Sequence, residues 1–172
     1  VRLAPFLEFY KKIKETDIIL YSPLRALCKE FLRVGKAAGK NGGFLIDKTD
    51  DGVDNSGVFD DFSGAVERFI PAAREWIRYN HDIDENDPSL PSPDRLLELL
   101  GDARKVQFAA AHAEKGYARY ATFETPEALP KKVSAVDAGS DKNYPSITIK
   151  YFCIDPSELL SERLSCARSA VM

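Results

Sequence analysis

Residues 58–81, VFDDFSGAVERFIPAAREWIRYNH, hold the only tryptophan of the chain and its steadiest apolar spacing. Phe59, Phe62, Val66, Phe69, Ala73 and Trp76 recur every three or four residues, which places them on one side of a helix, and Ile70 and Ile77 widen the stripe. A stripe that wide needs shielding from water, so the other candidate helices are read as what closes on it. Pro71 falls inside the pattern. It has no amide hydrogen and leaves the carbonyl of Glu67 without its donor, so a kink or two abutting helices are expected there.

The 172 residues suffice for one domain with a sizeable core, and a single globular domain spanning 1–172 is expected. Hydrophobic residues at 44% and charged residues at 30% argue against wholesale disorder. The net charge of −3 argues against a general affinity for nucleic acid, which needs a basic face. No apolar run approaches the roughly 18–20 residues of a spanning helix, so the chain is not expected to be transmembrane. VRLAPFLEFY at the start is amphipathic and lacks the apolar core of a secretory signal, although a chain starting at Val1 leaves room for a removed targeting segment. Cys28, Cys153 and Cys166 are too few and too scattered for a disulfide scaffold or a zinc site. The odd count leans towards reduced thiols and a cytoplasmic setting, with pairing of Cys153 and Cys166 left open.

Upstream of the stripe, Leu3, Phe6, Leu7, Tyr10 and Ile13 predict a short helix from about residue 4 to about 15. Ser22-Pro23 reads as a helix start, a capping hydroxyl followed by proline. The helix it opens carries Leu24, Leu27, Cys28, Phe31 and Leu32 and should stop near Gly35 to Gly39, where AAGKNGG supplies turn residues. Phe44–Ile46 is a brief apolar run, a strand or a segment tucked under the core. Downstream, Ser92-Pro93 repeats the start signal, Gly101-Asp102 is expected to break the helix, and a second run follows on Ala103, Val106, Ala110, Ala113, Tyr117 and Tyr120. Ser146–Ile154, SITIKYFCI, is the best strand of the chain, with Ala118–Phe123 or Phe44–Ile46 as its candidate partners. Asp155 to Glu158 has capping-box spacing before a helix turning Leu159, Leu160, Leu164 and Ala167 inward. The expected fold is mainly α: an irregular bundle of five or six helices with a small two- or three-stranded β element in the C-terminal third.

The chemistry-bearing patterns are few. The acidic loop with Asp47, Asp50, Asp51, Asp54, Asp60 and Asp61 starts like a calcium loop, but Val58 occupies the position of the bidentate glutamate. The loop with Asp82 and Asp84 fails in the same way, so no metal is expected. Asp60 and Asp61 then serve the start of the helix electrostatically, with the remaining acids solvated. Gly35–Lys40, GKAAGK, is one residue short of a phosphate loop, and Asn41 stands where Ser or Thr belongs. No Gly-x-Ser-x-Gly elbow, His-Glu-x-x-His or dinucleotide fingerprint occurs, and no cofactor is expected. His112-Ala113-Glu114-Lys115-Gly116 resembles the phospho-accepting helix of histidine phosphotransfer domains. That resemblance implies an exposed imidazole on a four-helix bundle with Lys115 beside it. Glu114, Tyr117 and Arg119 depart from the family's pattern, and a helix-surface histidine is the competing reading.

Lys29, Arg33, Lys36 and Lys40 fall at helical spacing on the polar side of the second helix, just after Lys11, Lys12 and Lys14. In an acidic chain this segregation points to a docking face, with another protein as the expected partner and an anionic lipid surface as an alternative. The function expected from these features is a non-enzymatic helical interaction domain. The alternatives are a carrier of an apolar small molecule or lipid beside Phe59, Phe62, Phe69 and Trp76, and a phosphotransfer or other enzymatic role centred on His112. The candidate binding residues are therefore Lys29, Arg33, Lys36, Lys40, Phe62 and Trp76.

Overall fold

Burial of one aromatic face dictates the architecture. A computed structural model describes residues 1–13, 17–40, 42–48, 52–80, 90–112, 117–124, 146–154, 156–157 and 160–161. Among these, four helices and three strands follow one another: α1 (Leu3–Lys12), α2 (Tyr21–Lys40), β1 (Phe44–Ile46), α3 (Ser56–Tyr79), α4 (Pro93–Ala111), β2 (Tyr117–Glu124) and β3 (Ser146–Cys153). The fold is mainly helical with a small antiparallel sheet, as its periodicities imply. The described helices number four instead of five or six, and β1 comes from the first third of the chain rather than the last.

Phe59, Phe62, Val66, Phe69, Ala73 and Trp76 of the α3 stripe are all buried, as is Ile70, while Ile77 at its edge is partly buried. They meet α1 and α2 ring against ring, with centroids 5.7 Å apart for Phe6 and Phe69, 5.9 Å for Phe9 and Trp76, and 4.7 Å for Phe31 and Phe62. Each such side chain contributes roughly 1.5–3 kcal/mol by leaving water. Contrary to the expected split, α3 runs through Pro71. Pro71 and Glu67 both stand on the exposed side, where water can satisfy the freed carbonyl.

The break expected at Gly101-Asp102 is also absent. Leu96, Leu99 and Leu100 before it and Ala103, Val106 and Ala109 after it are buried along one helix. Their burial outweighs the roughly 1 kcal/mol that glycine costs inside a helix. Ser92 caps α4 as its sequence suggests, its hydroxyl accepting from Arg95 N–H at 3.4 Å. At α2 Ser22 does not precede the helix but is its second residue. The helix opens at Tyr21, and Asp17, not Ser22, takes the amide of Leu20 at 3.3 Å while also accepting from the Trp76 indole N–H.

α2 ends at Lys40, within the AAGKNGG stretch that marks its stop, but not through the first two glycines. Gly35 and Gly39 do not stop the helix; they form its contact with the sheet. A Cβ on Gly35 would stand 2.3 Å from Ile147 Cδ1, and one on Gly39 would stand 3.2 Å from the Phe123 ring. Beyond Lys40 the chain turns at Gly42 and Gly43, whose φ values of 78° and 94° suit glycine, with Gly43 N–H returning to the Ala38 carbonyl at 2.9 Å.

The sheet order is β1-β2-β3, all antiparallel. Leu45 pairs with Ala121 and Ala121 with Ile149, and all three are buried beneath the helices. Val1 and Arg2 add to the free side of β3 through the Ile149 N–H to Val1 carbonyl bond of 2.9 Å and an Arg2–Thr148 bridge. The run expected to carry the helix on to Tyr120 is instead β2, so Ala118–Phe123 takes its alternative role as the strand partner of β3. Tyr117 and Tyr120 are spaced for a helix, but Arg119 and Ala121 are buried while Tyr120 and Thr122 are partly exposed, the alternation of a strand. The capping box at Asp155 and Glu158, and Leu159, Leu164 and Ala167 with it, lie outside the described residues. Leu160, expected to face inward, is 55% exposed.

Candidate functional site

The apolar side of α2 is consumed by the core, since Leu24, Leu27, Cys28, Phe31, Val34 and Ala38 are all buried. What remains outward is a line of exposed cations: Arg25, Lys29, Arg33, Lys36 and Lys40. At 1.5 Å per residue they span about 22 Å. Arg33 is held by Asp61 of α3 and by Glu30. Among the described residues, Arg25, Lys29, Lys36 and Lys40 have no counter-ion. The phosphate-loop-like GKAAGK is the last part of this helix and forms no loop.

Phe62 and Trp76, the other two candidate binding residues, lie inside the molecule at 0% and 1% exposure. The structure therefore does not bring the six candidates into one site: four cations are at the surface, and two rings belong to the core. An open cleft of about 780 Å³ lies elsewhere, between α4 and β3, and none of Phe59, Phe62, Phe69 or Trp76 lines it.

The acidic loop is not simply solvated. Asp47 accepts from Arg119 Nε at 2.7 Å, and Asp60 from Arg119 Nη1 at 2.5 Å. Arg119 projects from β2 into this pair with 7% side-chain exposure, its guanidinium 5.5 Å from the Phe59 ring centroid. Burial works against its charge, but the hydrogen bonds from Asp60 and Asp47 outweigh that effect and raise its pKa. The arrangement ties the β1–α3 connection to the central strand. Neither Asp60 nor Asp61 lies in the first turn of α3, so both act through ion pairs rather than through the helix end. Asp54 serves that end, accepting from Ser56 N–H at 2.8 Å, and the Ser56 hydroxyl and amide hold its carboxyl below the usual range. Asp50, Asp51, Asp82 and Asp84 lie outside the described residues.

Beside Arg119, the Tyr151 hydroxyl is 3.1 Å from Ser63 Oγ, and burial pushes its pKa up. His112 stands at the C-terminal cap of α4 instead of within a helix. Its Nδ1 donates to the Phe108 carbonyl at 2.7 Å, and its ring lies 4.4 Å from that of Phe108. Lys115 and Gly116 lie outside the described residues. Cys28 is buried, which pushes its thiol pKa up to about 12. Cys153 is exposed and free, and Cys166 is outside the described residues. Among the described residues, no group of three or more His, Cys, Asp or Glu could hold a metal ion, and no helix is long and apolar enough to cross a membrane.

The side of the sheet turned away from the helices was invisible in the sequence. Phe44, Tyr120 and Phe152 stand next to one another across β1, β2 and β3, each neighbouring pair 5.4 Å apart between centroids. Lys150 Nζ lies 5.5 Å from the Tyr120 ring centroid. Fold and surface together define a helical domain, closed on one face of a small sheet, that exposes a basic helix and an aromatic sheet face. Compared with protein-family models, curated proteins and solved structures, the chain matches none.

Proposed function

We propose that this chain is a non-enzymatic interaction domain that binds an acidic protein surface along the outward side of α2. The observation that carries this reading is the uncompensated line of Arg25, Lys29, Lys36 and Lys40 in a molecule whose net charge is −3. On α4 Lys105 is paired with Asp102 at 2.9 Å and Arg95 with Glu98, whereas along α2 four outward cations, Arg25, Lys29, Lys36 and Lys40, have no counter-ion among the described residues. Such a line raises the encounter rate with an acidic partner and sets its orientation. A membrane is the poorer fit. A helix lying in a lipid interface inserts its apolar side, and that side of α2 is already covered.

The test is a titration of the isotopically labelled chain with an oligo-glutamate peptide, and in parallel with phosphatidylserine vesicles. Amide shifts confined to α2, suppressed by salt and lost in a Lys29→Glu/Lys36→Glu variant, are the expected result. Vesicle binding stronger than peptide binding, or shifts indifferent to the double reversal, would defeat the reading.

A further inference from the structure

The outer side of the sheet is costly as plain surface. Phe44 is 43% exposed, Ile46 36% and Phe152 53%, and with Tyr120 they form one continuous apolar band across three strands. The fold does not need these rings. Leu45, Ala121 and Ile149, at the alternate positions, already face the core. Clustered exposed aromatic residues on a surface are the composition of binding hot spots.

At Phe152 the band meets the cleft between β3 and α4, whose other wall carries Phe108, 44% exposed. Arg104, Lys105 and Lys150 line the cleft against one carboxylate, Asp102, which Lys105 already holds at 2.9 Å. Arg104 and Lys150 have no counter-ion among the described residues. Lys150 stands over the Tyr120 ring, within the apolar band. An occupant that covered the band would strip water from this ammonium, and would have to supply a carboxylate to offset the loss.

We propose that the Phe44–Tyr120–Phe152 band and the adjoining cleft form a docking groove for an extended acidic and apolar peptide segment of a partner protein. An apolar side chain of that segment enters between Phe152 and Phe108, and its carboxylates meet Lys150 and Arg104. Three strands spaced about 4.8 Å apart make the band roughly 10 Å wide before the cleft begins, a footprint suited to a chain segment. Nucleic acid fits less well. Tyr120 is stacked at 19° on Phe152 and has Lys150 over its ring as well, so it offers little open face for the base stacking that single-strand binding needs. None of the α2 cations lines this groove, so the inference stands apart from the reading of α2.

Short peptides displayed on phage, selected against the immobilised full chain and then measured by calorimetry, test this proposal. The expected sequences combine Phe, Leu or Trp with Asp or Glu. Their affinity falls about tenfold or more in Phe152→Ser and in Lys150→Glu and holds in Lys36→Glu. If circular dichroism shows either variant unfolded, Phe108→Ser and Arg104→Glu on the α4 wall provide the same readout. Recovery of no binder overturns the proposal, as do binders without acidic residues or binders indifferent to these substitutions. A homopolymeric DNA strand that binds at the same residues, or self-association abolished by Phe152→Ser, assigns the surface to another occupant and also overturns it.

Discussion

Replacing Gly35 by alanine is expected to weaken the fold, although alanine is the better helix former. The new Cβ would lie 2.3 Å from Ile147 Cδ1, 2.8 Å from its Cγ1 and 3.2 Å from Phe123 Cδ2. A clash with a terminal methyl alone could be relieved by a small rotation. Cγ1 moves only if χ1 of Ile147 changes, and this β-branched side chain is 2% exposed. Helix propensity returns about 1 kcal/mol and overpacking costs about 1–3 kcal/mol, so the net loss should be up to about 2 kcal/mol, with the contact to the stiff Cγ1 placing it in the upper half of that range. Gly101 is the internal control. It is also helical, but its Cβ would meet nothing within 4 Å. Gly101→Ala should therefore gain up to about 1 kcal/mol. Urea unfolding with a shared m-value separates the two, the midpoint falling for Gly35→Ala and rising for Gly101→Ala. Ile147→Val sharpens the assay. It should cost about 1 kcal/mol in the native sequence and clearly less in the Gly35→Ala background, where it removes Cδ1, the nearer of the two clashing atoms. An equal cost in both backgrounds, or a Gly35→Ala variant as stable as the parent, would refute the close approach of α2 to β3.

Arg119→Met should cost about 3–5 kcal/mol by leaving Asp47 charged and shut from water, and adding Asp47→Asn should recover most of it in the same urea assay. Asp60→Asn should cost less than about 1 kcal/mol, because the side chain of Asp60 is 64% exposed. Tyr151 has its pKa raised by burial, so its neutral form is favoured in the fold. That contribution is intact below about pH 10, the unfolded value, and is lost as pH climbs through the raised one, so stability should fall on the alkaline side and fall less steeply in Tyr151→Phe. Alkylation followed by peptide mass mapping should label Cys153 in the native protein and spare Cys28 until denaturant is added, since the thiolate is the reactive form and Cys28 is held as the thiol. Labelling of Cys28 at the rate of Cys153 would contradict its burial.

What could be read without coordinates was whatever repeats locally. The α3 stripe carries its own period, Ser92-Pro93 carries its own cap, and SITIKYFCI has the composition of a strand. Features decided across the chain were hidden. Arg119 looks unremarkable beside its neighbours because its partners are 72 and 59 residues away. Its inward position follows only once Tyr117–Glu124 is known to be extended. Gly35 and Gly39 were ambiguous for a related reason. Glycine serves equally as a helix stop and as a notch for a neighbouring strand, and only the position of Ile147 and Phe123 decides between them. The line of cations on α2 was readable, because helical spacing alone sets it. The aromatic band was not, because it needs the register of three strands drawn from both ends of the chain.

The two exposed surfaces follow from one packing event. The glycine notch lets α2 settle on the inner side of the sheet while its Phe31 meets Phe6 of α1 and Phe62 of α3, and these contacts together use up the apolar side of the helix and the inward side chains of the strands. Each element then has only its other side to offer. For α2 that side is cationic, which a solvated helix tolerates without a partner. For the sheet it is aromatic, which water does not favour and which the core has no use for. The asymmetry makes the sheet face the more demanding of the two: an uncovered row of lysines is stable in water, whereas an uncovered row of rings gains free energy whenever something apolar covers it.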